Sequence, residues 1–202
     1  MRFKAGIFDL GKVVVHSDDK VLLEDIKKTL DLTDKQLKEV IWDISNLIQT
    51  GQISEADYLR KLLSRYGIKK EIPKDLLKRS FENDFEFIDP TIEVIKNLKA
   101  KRIKLAALSN TSPQHIKVMK KRGVFEYFDV EVLSSEVGFK KPDLRIYELT
   151  LDRLGSKAEQ TFFVDDREEN VNAARKLGIK SFLYESPQKL KKDLSELGLI
   201  IN

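Results

Sequence analysis

Short apolar runs alternate with amphipathic segments over most of this chain. The run Ala5–Phe8 is typical of a buried strand, and similar runs predict four more strands at 104–108, 130–133, 161–164 and 181–184. Helical spacing of apolar residues predicts helices beside them, at 89–100, 113–122, 143–154, 168–177 and 187–197. Strands that alternate with helices through short connections form a mostly parallel sheet covered on both faces. The predicted fold class is therefore α/β, a Rossmann-like doubly wound parallel sheet.

The segment after the first strand has a different pattern. From residue 18 to about residue 87 the apolar spacing is helical and shows no strand pattern, and helix starts and stops recur along it. Its predicted elements are a helix at 18–30, a second one opened by Thr33 and closed by Gly51, a third opened by Ser54 and closed by Gly67, and a short one from Pro73 to about Phe81. We interpret it as a helical insertion. The predicted domains are residues 1–15 with 88–202 for the sheet and 16–87 for the helices.

Composition narrows the class of protein. The chain has 202 residues, 41% of them hydrophobic and 35% charged, which indicates a globular protein with a real core. Its net charge of +4 is spread along the chain, so nucleic-acid binding is not expected. No apolar stretch is long enough for a membrane span or fits a signal peptide, and cysteine is absent. These features predict a cytoplasmic protein without disulfides, thiolate catalysis or cysteine-bound zinc.

Polar side chains follow the predicted strands at the points where they end. Asp9 follows the first strand, Ser109 and Asn110 follow the second, and Asp165 and Asp166 follow the fourth. Because parallel strands share one direction, these residues are expected to meet at one edge of the sheet, where open α/β sheets bind their ligands. The segment after the third strand, GFKKPD at 138–143, adds lysines to that edge.

This combination of side chains favours phosphate chemistry with magnesium. Three nearby carboxylates repel one another unless a cation lies among them, and hard oxygen ligands suit Mg²⁺. With no cysteine and two histidines, a zinc site is not expected. A lysine neutralises charge on a transferred phosphoryl group, a serine hydroxyl donates to phosphate oxygens, and an aspartate serves as a covalent nucleophile.

Four segments, in order, resemble the four motifs of the haloacid dehalogenase-like (HAD) hydrolase superfamily: FDLGKVVV, LSNTS, GFKKPD and FFVDDREENVNAA. The resemblance covers the predicted sheet domain, and the helical insertion lies where that family has a small helical cap. It implies a phosphatase with Asp9 as nucleophile, Ser109 and Asn110 as phosphate ligands, and Lys141, directly before Pro142, as the charge-neutralising lysine. It also implies Mg²⁺ bound by Asp9, Asp165, Asp166 and the backbone carbonyl of Gly11, with Asp166 the more direct ligand of the acid pair.

One position departs from the family pattern. Most phosphatases of this family have a second aspartate two residues after the nucleophile, as general acid and base, and here that residue is Gly11. Loss of such a group costs roughly 10²–10⁴ in rate, which is tolerable when the leaving group is good, as in anomeric or acyl phosphates. FDLGxV resembles a branch that includes sugar 1-phosphate phosphatases. His16 or a cap residue is an alternative proton donor, although an exposed loop histidine is the favoured interpretation of His16.

The leading hypothesis is a Mg²⁺-dependent phosphatase of a small phosphorylated metabolite, a sugar phosphate among the candidates, acting through an aspartyl-phosphate. Two alternatives stay open: a 2-haloacid dehalogenase, in which the same aspartate attacks carbon without a metal, and a non-catalytic binding domain impaired by Gly11. Either a monomer or a homodimer is compatible with the sequence. Among the remaining residues, Trp42 is predicted to pack in the core of the helical insertion, and His115 is predicted to be exposed.

Overall fold

The computed structural model describes residues 3–16, 19–69, 81–82 and 85–200. Its centre is a five-stranded sheet in which all four pairings are parallel and the strand order is β3-β2-β1-β4-β5. The strands are β1 (Ala5–Phe8), β2 (Lys104–Ser109), β3 (Val130–Leu133), β4 (Thr161–Asp165) and β5 (Lys180–Leu183). The doubly wound α/β fold predicted from the sequence is confirmed. Two predicted strands are one residue longer than expected, because Ser109 and Asp165 are themselves the last residues of β2 and β4.

Helices follow the strands as the spacing predicted. They are α1 (Asp19–Leu30), α2 (Asp34–Asp43), α3 (Glu55–Tyr66), α4 (Asp89–Ala100), α5 (Pro113–Lys121), the single turn α6 (Ser134–Val137), α7 (Leu144–Leu154), α8 (Glu168–Lys176) and α9 (Pro187–Glu196). A π-helical turn at Ile44–Ile48 follows α2, and 3₁₀ turns lie at Val124–Tyr127 and Ala158–Gln160. The predicted helix between Thr33 and Gly51 is therefore divided between α2 and the π-helical turn. The short helix predicted from Pro73 lies outside the described residues, apart from its end at Phe81.

Alternation along β1 supplies two cores, one on each face of the sheet. Phe8 packs on one face with Leu105, Phe162 and residues of α4, α5 and α9. Ile7 packs on the opposite face with Leu108 and residues of α7 and α8. Successive side chains of a strand point to opposite faces, so a run that is buried throughout requires helices on both.

A third hydrophobic cluster lies within the helical insertion. Its buried members all come from residues 26–62: Ile26, Leu30, Leu32, Val40, Ile48, Tyr58, Leu59 and Leu62. The predicted helix starts here are confirmed, since the N–H of Gln36 donates to the Thr33 hydroxyl and the N–H of Asp57 donates to the Ser54 hydroxyl. The domain limits at residues 15/16 and 87/88 stay a prediction.

The prediction that Trp42 packs in this core is wrong. Its side chain is 67% exposed. It follows the fully buried Val40 by two residues, which places it about 200° around α2 from the buried face.

Among the described residues, no helix is both long enough and apolar enough to span a bilayer.

Candidate active site

Lys141 is the centre of the polar cluster at the carboxyl edge of the sheet. Its Nζ lies 2.8 Å from Asp9 Oδ1 and 2.6 Å from Asp165 Oδ2, and it donates to the carbonyl oxygen of Leu108 at 2.9 Å. The whole residue is only 2% exposed. Burial disfavours the charged ammonium, but the carboxylates of Asp165 and Asp9 outweigh that effect and raise the pKa of Lys141. A buried cation with three fixed acceptors is therefore part of this site.

The loop after β2 holds the backbone of Lys141 in place. Asn110 Nδ2 donates to the carbonyl oxygen of Lys141, and the N–H of Lys141 donates to Asn110 Oδ1, both at 2.8 Å. The paired hydrogen bonds fix the GFKKPD segment against β2, whose last residue is Ser109. Ser109 itself is 5% exposed at the same edge. Thus the sheet brings Ser109, Asn110 and Lys141 together, although 31 positions separate the last two in sequence.

Asp165 is held on both oxygens. Oδ1 accepts the backbone N–H of Arg167 at 2.8 Å and Asn170 Nδ2 at 2.9 Å, while Oδ2 faces Lys141. Asn170, at the start of α8, is in turn located by the Tyr147 hydroxyl, which donates to its carbonyl oxygen at 3.0 Å. Asp165 is fully buried, and these donors account for how a carboxylate is tolerated there.

The three acids form one cluster. Ligand oxygens of Asp9, Asp165 and Asp166 all lie within 4.8 Å of one another. Burial raises the pKa of Asp9 to about 7; the charges of Asp165 and Asp166 add to this effect, and Lys141 opposes it. Burial and the charge of Asp165 also raise the pKa of the half-buried Asp166, with Lys12 and Lys141 opposing. A divalent cation would reverse these shifts by favouring the ionised carboxylates, so the donor set fits a hard cation such as Mg²⁺.

Asp9 leaves β1 directly into this cluster. Its N–H donates to the carbonyl oxygen of Val164 on β4 at 2.9 Å, and its Oδ1 accepts the N–H of Leu10 at 2.8 Å. The loop then turns through Lys12, whose φ of 60° lies in the left-handed region, and Gly11 forms a bridge with Val15. The side chain of Asp9 is 11% exposed, which leaves part of the carboxylate open to solvent.

The structure brings most of the candidate side chains together, and Ser109 lies at the same edge of the sheet as the last residue of β2. Asp9, Asp165 and Lys141 are in direct contact, Asp166 is close to them, and Asn110 holds Lys141. His16 is exposed just beyond the loop, as favoured. His115 is half-buried and stacks on Phe81 at 4.0 Å between ring centroids, so its predicted exposure is wrong.

Sequence reasoning missed three supporting groups. These are the Leu108 carbonyl below Lys141, the Tyr147 hydroxyl, and Ser134, whose Oγ accepts the N–H of Thr111 at 2.9 Å. Ser134 could have been predicted, because it directly follows β3 and so lies at the same edge of the sheet as the other strand-end residues. The other two were not, since any residue has a carbonyl and Tyr147 lies on a helix with an apolar spacing.

The family model for haloacid dehalogenase-like hydrolases matches residues 3–178. The chain belongs to the haloacid dehalogenase-like hydrolase family. The match runs from β1 through α8 and so includes all the residues of the cluster.

Individual relatives of this hydrolase include a phosphatase of similar length and a much longer cyclase. It is 26% identical over 185 residues to the sesquiterpene phosphatase astK of Aspergillus oryzae, and that match covers 88% of this chain and 87% of the relative. It is 27% identical over 198 residues to the drimenol cyclase drtB of Aspergillus calidoustus; that match covers 96% of this chain but only 36% of the longer relative.

A similar fold occurs in a HAD family enzyme of Bacteroides thetaiotaomicron, solved in complex with magnesium and inorganic phosphate. The TM-score is 0.76 at 22% identity, with 91% of this chain and 94% of that chain covered. At this identity the likeness establishes the fold alone.

Proposed function

We propose that this hydrolase is a Mg²⁺-dependent phosphatase of small phosphorylated metabolites, and that Asp9 forms an aspartyl-phosphate intermediate. The observation that carries the proposal is the contact of one buried lysine with two carboxylates from β1 and β4, beside a third at Asp166. Relatives such as the phosphatase astK and the magnesium and phosphate complex of the Bacteroides enzyme support the same chemistry.

The residues divide the work of phosphoryl transfer. The Asp9 carboxylate attacks phosphorus and the bond from phosphorus to the leaving oxygen breaks; water then attacks the aspartyl-phosphate, which releases inorganic phosphate and restores the carboxylate. Ser109 and Asn110 bind the phosphoryl oxygens, and Lys141 stabilises the charge that develops on them. Bound Mg²⁺ would be held by Asp9, Asp165, Asp166 and the Gly11 carbonyl, and would supply further positive charge at the phosphate. Asp166 is proposed as the more direct ligand, because both oxygens of Asp165 already face protein donors.

The helical insertion is proposed to act as a cap. Residues 16–87 supply their own hydrophobic cluster, so they can pack as a unit beside the sheet domain of residues 1–15 and 88–202. In this proposal the cap closes over the site, excludes water and selects the substrate.

Gly11 defines the expected substrate range. With no carboxyl side chain two residues after Asp9, the leaving oxygen takes its proton from water, and substrates with good leaving groups are favoured. We therefore expect the rate of phosphate release to rise steeply as the pKa of the leaving alcohol falls across a series of aryl phosphates, and sugar 1-phosphates to exceed 6-phosphates. A flat dependence would show that another residue donates the proton.

The experiment that tests the proposal compares the wild-type protein with Asp9→Asn, using an aryl phosphate with EDTA or with Mg²⁺. Asp152→Asn, an exposed acid on α7, is the matched control. We expect turnover only with Mg²⁺, a loss of about 10³-fold or more in Asp9→Asn, and no change in the control. Release of chloride from 2-haloacids without metal would support a dehalogenase instead. No turnover of either substrate class, with wild type and Asp9→Asn alike, would support a binding domain.

A further inference from the structure

The loop from Gly51 to Glu55, here called the docking loop, brings the helical insertion against the sheet domain. Gly51 has a φ of 69°, and a Cβ built on it would lie 2.4 Å from the carbonyl oxygen of Ser135 in α6. No real Cβ comes that close to a backbone oxygen, and the obstacle is main chain and cannot rotate away. The approach of these two backbones therefore requires glycine at position 51.

Glu55 makes the second contact of the docking loop. It is the first residue of α3, and it is only 7% exposed, which is rare for a glutamate. Burial raises the pKa of Glu55, while hydrogen bonds from the Ser112 hydroxyl and the Gln114 backbone N–H, and the charge of Lys117, oppose the rise. All three opposing groups belong to the first turns of α5 or to the residue that caps it.

The start of α5 depends on Glu55 for a backbone partner. Pro113 has no N–H, and the N–H of His115 is bonded to the Ser112 hydroxyl. Gln114 is the remaining donor of that first turn, and Glu55 faces it. The carboxylate therefore lies between the N-termini of α3 and α5, where two helix dipoles stabilise a negative charge. This accounts for a buried carboxylate even though its Oε1 has no hydrogen-bond partner.

Both contacts of the docking loop fall next to residues that build the phosphate-binding edge. Ser112, which faces Glu55, is three residues beyond Ser109. Ser135, which meets Gly51, follows Ser134, whose Oγ accepts the N–H of Thr111 at 2.9 Å. Asn110, between Ser109 and Thr111, holds both backbone polar groups of Lys141. The segment 109–112 is thus contacted at Ser112 by the insertion directly and at Thr111 through α6.

We propose that Gly51 and Glu55 are positioning residues, through which the docked insertion fixes the 109–112 segment and so the geometry of Ser109, Asn110 and Lys141. The inference rests on the proposed phosphatase function only for its effect on rate. The docking itself is a property of the fold and is measured separately. Neither residue touches the phosphate in this proposal. Their removal should therefore lower kcat for a small aryl phosphate more than it raises KM.

The glycine pair gives a matched comparison. Gly51 and Gly67 both have left-handed φ values, of 69° and 65°, but a Cβ on Gly67 meets nothing within 4 Å. Gly51→Ala and Gly67→Ala therefore both place a side chain at a similar left-handed φ, and only the first separates the docking loop from Ser135. We expect kcat to fall roughly tenfold or more in Gly51→Ala and to change less than about twofold in Gly67→Ala.

The glutamate is tested by Glu55→Ala and Glu55→Gln, with Gln52→Ala, an exposed residue of the same loop, as the control. Peptide-level hydrogen exchange over residues 109–116 is the readout that does not require activity. We expect exchange in that segment to speed up about tenfold in Glu55→Ala, to recover in Glu55→Gln, which keeps a carbonyl acceptor, and to stay unchanged in Gln52→Ala.

The outcomes separate this inference from the proposed function. If the wild type hydrolyses no phosphate ester, the proposed function fails, while faster exchange at 109–116 in Gly51→Ala and Glu55→Ala still supports the docking. If both variants fold, as judged by circular dichroism, and leave exchange, kcat and KM as in their controls, the inference is wrong. A lower melting temperature with unchanged exchange and kcat would likewise overturn it, because the residues would then act on stability alone.

Discussion

Replacement of Lys141 by methionine isolates the electrostatic part of the site. Methionine is apolar and close in length to the lysine stem, so the volume filled beside the sheet is largely kept. The ammonium is lost, and with it the contacts to Asp9, Asp165 and the Leu108 carbonyl, at 2.8, 2.6 and 2.9 Å. Removing one partner of a buried ion pair costs about 3–5 kcal/mol, because the remaining charges stay buried and uncompensated. We expect a loss of that size in the free energy of unfolding at pH 8, in EDTA.

The pH dependence of this loss has a definite sign. Lys141 lowers the pKa of Asp9, so its removal raises that pKa above the value of about 7 in the wild type. A carboxyl whose folded-state pKa exceeds its unfolded value binds more protons when folded, and the fold is then stabilised as pH decreases through the folded pKa. The destabilisation by Lys141→Met should therefore be largest at pH 8 and shrink toward pH 5.

Urea denaturation followed by far-ultraviolet circular dichroism measures both quantities, with the m-value as a check on two-state behaviour. Lys140→Met is the matched control, because the charges that act on the neighbouring lysine are those of Arg167 and Glu169, and we expect it to cost about 1 kcal/mol or less. Equal losses in the two variants, or a Lys141→Met loss that does not change between pH 8 and pH 5, would contradict this electrostatic role of Lys141.

Three further predictions concern the sheet and its supports. Gly6→Ala should cost about 1–3 kcal/mol in urea denaturation, because its Cβ would lie 2.3 Å from the Phe162 ring in a fully buried site; an unchanged midpoint would contradict the packing. Burial lowers the pKa of His115 to about 4, so between pH 6.5 and pH 4 the unfolded state binds more protons than the folded state. As the pH falls through that range, the free energy of unfolding of the wild type should decline by on the order of 2 kcal/mol more than that of His115→Phe. Tyr147→Phe removes the hydroxyl that donates to the Asn170 carbonyl, and it should lower the free energy of unfolding by about 1 kcal/mol, measured by thermal melting. The loss should be larger if the hydrogen bond from Asn170 to Asp165 is broken as well.

Most strand and helix positions could be predicted from the sequence, because the local pattern of apolar and polar residues decides them. Apolar runs at 130–133 and 161–164 are strands within a residue, and Gly155 ends α7 in a left-handed conformation, as helix-closing glycines do. Trp42 shows the limit of the same reasoning. Whether an apolar residue of a helix is buried depends on which face of the helix packs inward. Where apolar residues lie on several sides of a helix, the sequence does not determine that face.

The candidate site could be predicted from the sequence for a topological reason. Parallel strands end at one edge, so Asp9, Ser109 and Asp165 were expected together before any contact was known. Which lysine of the pair at 140–141 enters the cluster followed from the resemblance to the family, and in the structure Lys141 is the one that contacts both acids.

The order of elements and the set of side chains at the carboxyl edge could therefore be predicted from the sequence, since they depend on the period of the apolar residues and on the shared direction of the strands. Tertiary structure alone decided the contacts between elements far apart in sequence: the double hydrogen bond of Asn110 with Lys141, the place of Tyr147 behind Asn170, and the docking of Gly51 and Glu55 on the sheet domain. Such contacts depend on how helices and loops pack in three dimensions, and a linear pattern of apolar and polar residues does not encode distances across that packing.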